Sequence, residues 1–181
     1  SDPPQHFAGG WERLSKPGLG GRQRWRWSLP ANRSAPAAPS PPSAGSAFIY
    51  VKIYRHTPLR EQLDRIRRQA TGHSRAWWEY EQSAALVKAG VAAVRAVAVT
   101  EAMRGFWEAR SAGLFEAAPG DAFDRVWPRL AADRHPLTRG AARHALVRRL
   151  AAFVAAFHGT GACHRDLYVC HIFFDPGQPA A

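Results

Sequence analysis

Near its C-terminus the chain carries the segment Cys163-His164-Arg165-Asp166-Leu167-Tyr168-Val169-Cys170-His171-Ile172-Phe173-Phe174-Asp175, which is the most informative part of the sequence. A carboxylate that is to receive a proton from a reacting group needs a rigid turn behind it, and His164 and Arg165 are placed to brace that turn. The apolar run that ends at Phe174 predicts a short strand, which fixes the loop from its far side. Asp166 is therefore a candidate general base.

The chain of 181 residues suits one domain of ordinary size, and 46% hydrophobic and 11% aromatic residues are enough for a core. No uninterrupted run of 18 apolar residues is present, so we expect no transmembrane span. The N-terminus lacks the pattern of a signal peptide, and it begins with Ser1, so it need not be the natural start. Two cysteines argue against a disulfide framework and indicate a reducing compartment.

The charge is strongly positive, at +11, and arginine supplies 22 of the 25 basic residues. Such a surface attracts polyanions, which include nucleic acid, acidic lipid headgroups and nucleotide phosphates. The alternative is that an arginine- and alanine-rich chain uses arginine for solubility alone. The charge by itself selects no partner.

Hydrophobic periodicity predicts strands followed by helices, which indicates an α+β protein. Residues 30–47 are rich in proline, alanine and serine, and they predict a flexible insertion because strand-like sequence flanks both sides. The predicted strands cover residues 24–29, 48–54, 91–100 and 108–116, and the predicted helices cover residues 57–70, 74–89 and 138–158.

Each predicted helix carries an apolar stripe, which we expect to face the core. The stripes are Leu59, Leu63 and Ile66 in the first helix, Trp77, Tyr80, Ala84 and Val87 in the second, and Leu146, Leu150, Phe153, Val154 and Phe157 in the third.

Lys52 stands in the middle of a predicted strand, between Val51 and Ile53. A lysine ammonium is a compact charge that reaches nucleotide phosphates in a tight site, where an arginine fork would not fit. The alternative is an edge-strand lysine that faces water.

A lysine with that role needs an acidic partner, and Glu79 and Glu81 both lie in the helix that follows. We choose Glu79, because Leu86 and Val87, seven and eight residues later, place it beside the apolar stripe. The alternative is that both carboxylates are solvated.

Three glycines occur within the segment Lys16-Pro17-Gly18-Leu19-Gly20-Gly21-Arg22, directly before the first predicted strand. Glycines at Gly18, Gly20 and Gly21 would let backbone N–H groups approach phosphate oxygens closely. A plain turn is the alternative.

Together these residues resemble the lipopolysaccharide kinase (Kdo/WaaP) family, whose members are distant relatives of protein kinases. The resemblance spans residues 11–176 without the insertion. It is carried by residues 164–175, 18–22 and 50–52 and by the helix end Glu79 to Val91, and its most specific part is His-Arg-Asp-Leu-Tyr-x-Cys-His. Most protein kinases have Asn where His171 stands.

The resemblance implies a protein-kinase-like fold and a bacterial ATP-dependent transferase. Residues 1–118 would form the N-terminal lobe, an antiparallel sheet with a packed helix, and residues 119–181 would begin a helical C-terminal lobe. The γ-phosphate of ATP would pass to a sugar hydroxyl of the lipopolysaccharide inner core or a related glycolipid. The enzyme would be cytoplasmic, peripheral at the inner face of the inner membrane, with no specific nucleic-acid partner.

The resemblance also assigns roles to residues. Asp166 would be the catalytic base, supported by His164 and Arg165. Lys52, paired with Glu79, would bind the α- and β-phosphates under the glycine loop. Leu114-Phe115-Glu116-Ala117-Ala118 would be the hinge that binds adenine through Glu116 and Ala118. His171 would bind Mg²⁺, or orient Asp166 or a water molecule, because Mg²⁺ prefers oxygen ligands.

A second aspartate, which holds Mg²⁺ on the phosphates of a kinase, is not found before Ala181. Asp175 comes too early and fits the turn leading into the strand that precedes such an aspartate. We therefore expect a fragment of a longer enzyme, or a truncated non-catalytic relative, and we expect this chain alone to be inactive.

Three rival interpretations are weighed. Cys163, His164, Cys170 and His171 could bind zinc, although their spacing matches no common zinc pattern. The basic-aromatic run over residues 22–27 suggests a nucleic-acid-binding module, which would leave the His-Arg-Asp loop and Lys52 unexplained. A pseudokinase or protein-kinase-like scaffold is the third.

Overall fold

Seven strands, four α-helices and two short 3-10 helices make up the described part of the computed structural model, which comprises residues 10–14, 22–29, 48–55, 57–68, 72–164 and 167–177. The strands are β1 (Trp11–Leu14), β2 (Arg22–Ser28), β3 (Phe48–Arg55), β4 (Ala96–Arg104), β5 (Trp107–Glu116), β6 (Asp121–Ala122) and β7 (Phe173–Phe174). The helices are α1 (Leu59–Arg68), α2 (Arg75–Lys88), α3 (Phe123–Ala132) and α4 (Gly140–Gly159).

The chain divides into two units. The first contains residues up to Ala85 together with Val94–Ala117, and the second contains Leu86–Ala93 together with the residues from Ala118 onward. The glycine segment 15–21 and the insertion 30–47 lie outside the described residues. None of the described helices is long and apolar enough to cross a membrane.

The first unit is built on a five-stranded antiparallel sheet in the order β1-β2-β3-β5-β4. The middle strand, β3, is rich in aromatic and β-branched residues, which favour a sheet covered on both faces. Its residues Val51 and Tyr54 are buried on opposite faces. The predicted α+β fold class is confirmed.

Strand β4 begins later than predicted, at Ala96 rather than Val91. The backbone before it is held by α2 instead of by the sheet: the Ser83 hydroxyl donates to the Val94 carbonyl at 2.6 Å and accepts from the Ala96 N–H at 2.9 Å. Apolar sequence over residues 91–95 therefore does not extend the strand.

Helix α1 turns a polar face to the protein interior, contrary to the prediction. Leu59 and Leu63 are 63% and 54% exposed, whereas Gln62 and Arg65 are 5% and 2% exposed. The buried side chains bond to backbone: Gln62 donates to the Glu108 carbonyl at 2.6 Å, and Arg65 donates to the carbonyls of His73, at 2.6 Å, and Phe106. These contacts outweigh the burial of two leucines.

A buried charge pair lies under α1. The Arg65 and Glu108 side chains have no exposed surface, and Arg65 Nε lies 3.7 Å from Glu108 Oε2. The Ser111 hydroxyl donates to Glu108 Oε1 at 2.5 Å, and the Arg75 backbone N–H donates to Oε2 at 3.3 Å. The pair thus joins α1 to strand β5 and to the first residue of α2.

Helix α2 packs through small residues rather than through the predicted stripe. Ala76 and Ser83 are buried, whereas Ala84 and Val87 are exposed. Glu79 lies three residues after Ala76 and four before Ser83, so it shares their face. The choice of Glu79 over Glu81 was correct, although the apolar stripe used to make it was not.

The second unit holds α3, α4 and the two-stranded sheet β6–β7. Only Leu146 of the predicted α4 stripe is buried, and the other members are half-exposed. Gly120 adopts φ +77°, and a methyl group there would lie 2.4 Å from the Phe174 carbonyl oxygen. The backbone next to β6 therefore requires glycine at this position.

We predict that Arg65→Met lowers the free energy of unfolding by about 3 kcal/mol, because it leaves the buried Glu108 carboxylate short of a cation. Urea denaturation measures the effect. The control is Arg60→Met, an exposed position on the same helix, which should change the free energy of unfolding by less than about 0.5 kcal/mol. Equal effects of the two substitutions would contradict the structural role of Arg65.

We predict that Gly120→Ala destabilises the second unit, because it combines an unfavourable φ with a collision against the β7 backbone. Gly105→Ala is the matched control, since Gly105 has φ +60° but nothing within 4 Å of an added methyl group. In a thermal melt, the melting temperature should fall by several degrees more for Gly120→Ala than for Gly105→Ala. Equal melting temperatures would show that the close approach to Phe174 is unimportant.

Candidate active site

Lys52 occupies the centre of the sheet, opposite Arg24 of β2 and Gly113 of β5. Strand alternation places it on the same face as the buried Tyr54, two residues later. Its side chain is about one-third exposed, at 31%. Lys52 is therefore not an edge-strand lysine, and its ammonium remains within reach of a ligand.

Glu79 of α2 binds this lysine directly. Lys52 Nζ lies 2.6 Å from Glu79 Oε2, within the distance of a strong charge-assisted hydrogen bond. The Tyr54 hydroxyl donates to the other carboxylate oxygen, Oε1. The predicted strand-to-helix ion pair is confirmed, and Tyr54 is a third member that the prediction missed.

Glu79 and Tyr54 hold defined protonation states at neutral pH. Burial raises the pKa of Glu79, but the Lys52 charge, the hydrogen bonds from Lys52 and Tyr54 and the Arg22 charge outweigh it, so the pKa lies below its ordinary value. Burial, and then the Glu79 charge, raise the pKa of Tyr54 well above its ordinary value. Glu79 is therefore an anion and Tyr54 a neutral donor.

An aromatic ring supports the lysine from β5. The Lys52 ammonium lies 4.4 Å from the centroid of the Phe115 ring, which is a cation–π contact. Phe115 reaches this position across Gly113, where a methyl group would lie 2.8 Å from the ring. Gly113 is the cross-strand neighbour of Lys52. Because it has no side chain, the Phe115 ring can lie beside the lysine.

The start of α2 is fixed by carboxylates from the sheet. Glu101 of β4 accepts the Ser74 N–H at 2.8 Å and contacts His73 Nδ1 at 2.9 Å. Glu108 accepts the Arg75 N–H at 3.3 Å. Negative charge at a helix N-terminus is favourable, so these contacts anchor the N-terminal end of α2. Glu79 lies one turn after that end.

The predicted hinge begins at the end of β5. The Glu116 N–H donates to the Arg95 carbonyl at 2.9 Å, and its carboxylate lies 3.6 Å from Arg95 Nε. Ala118 follows the strand without regular structure. The adenine-binding role of Glu116 and Ala118 stays a prediction.

The loop predicted to be catalytic is described only on either side of its centre. Arg165 and Asp166 lie outside the described residues, as do Gly18, Gly20 and Gly21 of the predicted phosphate loop. The His164 ring lies 5.2 Å, between centroids, from the ring of His171, which ends the 3-10 helix Val169–His171. The loop is followed by β7, as the apolar run predicted.

Strand β7 is anchored within its own unit. The Phe123 N–H donates to the Ile172 carbonyl at 2.8 Å, and the Phe123 ring contacts Phe174. Asp175 lies in the turn after β7, where its Oδ1 accepts the Gly177 N–H at 2.9 Å. Asp175 is in a turn, as predicted, but that turn follows β7, whereas the prediction placed it leading into the strand.

The zinc and nucleic-acid interpretations gain no support from these contacts, and the pseudokinase interpretation stays open. Among the described residues, which include Cys163, His164, Cys170 and His171, no group of three or more His, Cys, Asp or Glu side chains is placed to hold a metal ion. In the basic-aromatic strand β2, Trp27 stacks on Trp11 with ring centroids 5.4 Å apart, and Arg26 pairs with Glu12.

An antiparallel sheet whose central lysine is paired with a helix glutamate defines a protein-kinase-like protein. The model of the lipopolysaccharide kinase (Kdo/WaaP) family matches residues 45–181, more than half of the chain, and the protein belongs to that family. The match starts after the glycine segment, so the role of Gly18, Gly20 and Gly21 stays a prediction. Comparison with curated proteins and with solved structures gives no match.

We predict that the stabilisation provided by Glu79 depends on acid pH. Because the pKa of Glu79 is lowered on folding, its contribution is complete above the ordinary glutamate pKa of about 4.3 and is lost as the pH falls through the lowered value. The difference in unfolding free energy between the wild type and Glu79→Gln should be constant near neutrality and shrink below that pH.

Urea denaturation over a pH series measures this difference. Glu81→Gln is the control, since Glu81 is exposed on the same helix and its replacement should change stability by less than about 0.5 kcal/mol. A Glu79→Gln difference that persists unchanged in strong acid would show that the ion pair does not stabilise the fold.

Proposed function

We propose that the protein is an ATP-dependent kinase that phosphorylates a sugar hydroxyl of the lipopolysaccharide inner core or of a related glycolipid. Membership of the lipopolysaccharide kinase family supports a phosphotransferase of this class. The single observation that carries the proposal is the 2.6 Å pair between Lys52 and Glu79, which lies inside the matched residues.

Lys52 would bind the α- and β-phosphates of ATP. An ammonium has three N–H donors, and among the described residues only Glu79 accepts one of them. The remaining donors suit phosphate oxygens. Glu79 and Phe115 would hold the ammonium in place before the nucleotide arrives, which reduces the ordering cost of binding.

The adenine base would bind to the backbone of the stretch from Phe115 to Ala118. The Glu116 N–H already donates to the Arg95 carbonyl. The base would therefore use other backbone groups of Glu116 and those of Ala118. Phe115 is buried at the start of this stretch and would limit the depth to which the base enters.

Asp166 would act on the acceptor hydroxyl. The carboxylate accepts the hydroxyl proton while the oxygen forms a bond to the γ-phosphorus, and the bond from that phosphorus to the bridging oxygen of ADP breaks. His164 and Arg165 would brace the loop, so they are positioning residues in this scheme. His171, whose ring neighbours His164, would orient the same loop.

The described residues do not fit a magnesium ion. They contain no cluster of three or more possible metal ligands, the Asp175 carboxylate caps its own turn, and an imidazole such as His171 is a poor ligand for Mg²⁺. No step proposed here passes through the metal. We accordingly expect the 181-residue chain to bind nucleotide without turning it over.

A glycolipid acceptor would bring the enzyme to a membrane surface. The net charge of +11 favours an anionic surface, and the family supports a sugar or glycolipid acceptor. We propose peripheral association with the cytoplasmic face of the inner membrane.

We predict that Lys52→Met weakens ATP binding by at least about tenfold, since it removes charge-assisted hydrogen bonds to phosphate. Isothermal titration of the 181-residue chain measures the affinity without requiring turnover. Lys88→Met is the matched control, because Lys88 is exposed at the end of α2, and it should bind ATP as the wild type does.

Two outcomes would sink the proposal: a wild-type chain that binds no ATP although its circular dichroism shows it folded, or a Lys52→Met variant with wild-type affinity. Competition with sugar phosphates and with lipopolysaccharide core oligosaccharides then tests the acceptor class separately from the nucleotide.

A further inference from the structure

A large cavity lies in the first unit, beside α1 and the Tyr54 end of β3. Its volume is about 720 Å³, and its lining contains seven arginines against two acidic residues, Glu61 and Asp64. That volume is in the range of sites that take small ligands. Neither Lys52 nor Glu79 lines the cavity, but Tyr54, which donates to Glu79, does, so the cavity adjoins the site proposed for ATP phosphates without containing its ion pair.

Three of the seven arginines are already neutralised by carboxylates. Arg65 is fully buried against Glu108. Arg75 bonds to Glu61 at 2.5 Å, and Arg68 pairs with Asp64 at 2.7 Å. These contacts shape the wall of the cavity and consume both acidic residues in its lining.

Of the other four arginines, Arg22 acts on the Glu79 charge, and three leave uncompensated positive charge on the cavity. Arg22 lies over the Tyr54 ring at 5.1 Å. For Arg55, Arg60 and Arg67 the structure shows no ion pair with any described residue. Like charges gathered around one concave space repel each other, and an anion that enters the space relieves that repulsion.

We infer that this cavity binds the phosphate groups of a multiply phosphorylated ligand. A guanidinium fork matches phosphate oxygens in a bidentate geometry, and several forks around one cavity favour more than one phosphate. The compact, half-open shape favours a small headgroup over a nucleic-acid strand, which needs an extended groove. The site does not depend on the proposed kinase activity.

Exposed leucines on α1 indicate where the bound phosphate groups could come from. Leu63 lines the cavity, and both Leu59 and Leu63 present most of their surface to solvent. Apolar side chains beside arginines suit the surface of an anionic bilayer. A lipid headgroup and a soluble phosphorylated ligand share the chemistry that the cavity recognises, and the experiment separates them.

The test measures binding of inositol hexakisphosphate to the 181-residue chain by isothermal titration at physiological salt. The cavity variant carries Arg55→Gln, Arg60→Gln and Arg67→Gln. The matched control carries Arg143→Gln, Arg148→Gln and Arg149→Gln, which are exposed on α4 and remove the same charge. We expect the cavity variant to lose at least about tenfold in affinity and the control to lose less than about twofold.

Equal losses in both variants would show general charge attraction and overturn the inference, as would no binding by the wild type at about 1 mM probe. Lys52→Met should bind the probe normally. If it lost binding as the cavity variant does, the probe would occupy the lysine site, and the inference would be wrong. A failure of ATP binding leaves this measurement intact, so the two proposals fail separately.

A vesicle sedimentation experiment identifies the source of the phosphate groups. Vesicles of phosphatidylcholine with phosphatidylglycerol, and vesicles of phosphatidylcholine alone, are mixed with wild type, cavity variant and control. If the wild type and the control sediment with the anionic vesicles and the cavity variant does not, the site is assigned to lipid headgroups. Probe binding that depends on the cavity without vesicle binding assigns it to a soluble phosphorylated ligand. If the cavity variant binds both the vesicles and the probe as the wild type does, the inference is overturned.

Discussion

The buried contact between Arg65 and Glu108 is the constraint on which the first unit depends. Removing two charges from water is costly, and the cost is recovered only when the groups are surrounded by partners. Here the guanidinium donates to two backbone carbonyls, while Glu108 receives a serine hydroxyl and a backbone N–H. Those partners come from different elements, so the pair can be satisfied only when α1, α2 and β5 are in place together.

The position of Glu79 follows from this constraint. Arg75 donates its backbone N–H to Glu108, and Glu79 stands one turn later on the same helix. Ala76 and Ser83 are small, so that face of α2 can approach the sheet, and the 2.6 Å contact with Lys52 becomes possible. A rotation of α2 about its own axis would break the Lys52 contact and strip Glu108 of a donor.

Hydrophobic periodicity correctly predicted the central strands and the long helices, and the order of a strand lysine followed by a helix glutamate predicted the pair between Lys52 and Glu79. It failed where polar groups replace apolar ones in the interior. In α1 the buried residues are Gln62 and Arg65, so a pattern of leucines points to the wrong face. Helix α3 was missed because it contains Pro128, although Val126 and Leu130 are buried four residues apart. Tyr54 could have been found, since it lies two residues after Lys52 and therefore on its face.

The chain uses its cations for different purposes, and the chemistry of each side chain fits its place. Lys52, one of only three lysines in the sequence, stands where a single ammonium touches a carboxylate and an aromatic face at once. Arginine stands where several donors must reach separate carbonyls, as at Arg65, because a planar fork loses less freedom for each hydrogen bond that it forms. Exchanging the two residue types would therefore damage both places while leaving the net charge of the protein unchanged. The high positive charge of the sequence thus includes distinct structural roles, which composition alone does not separate.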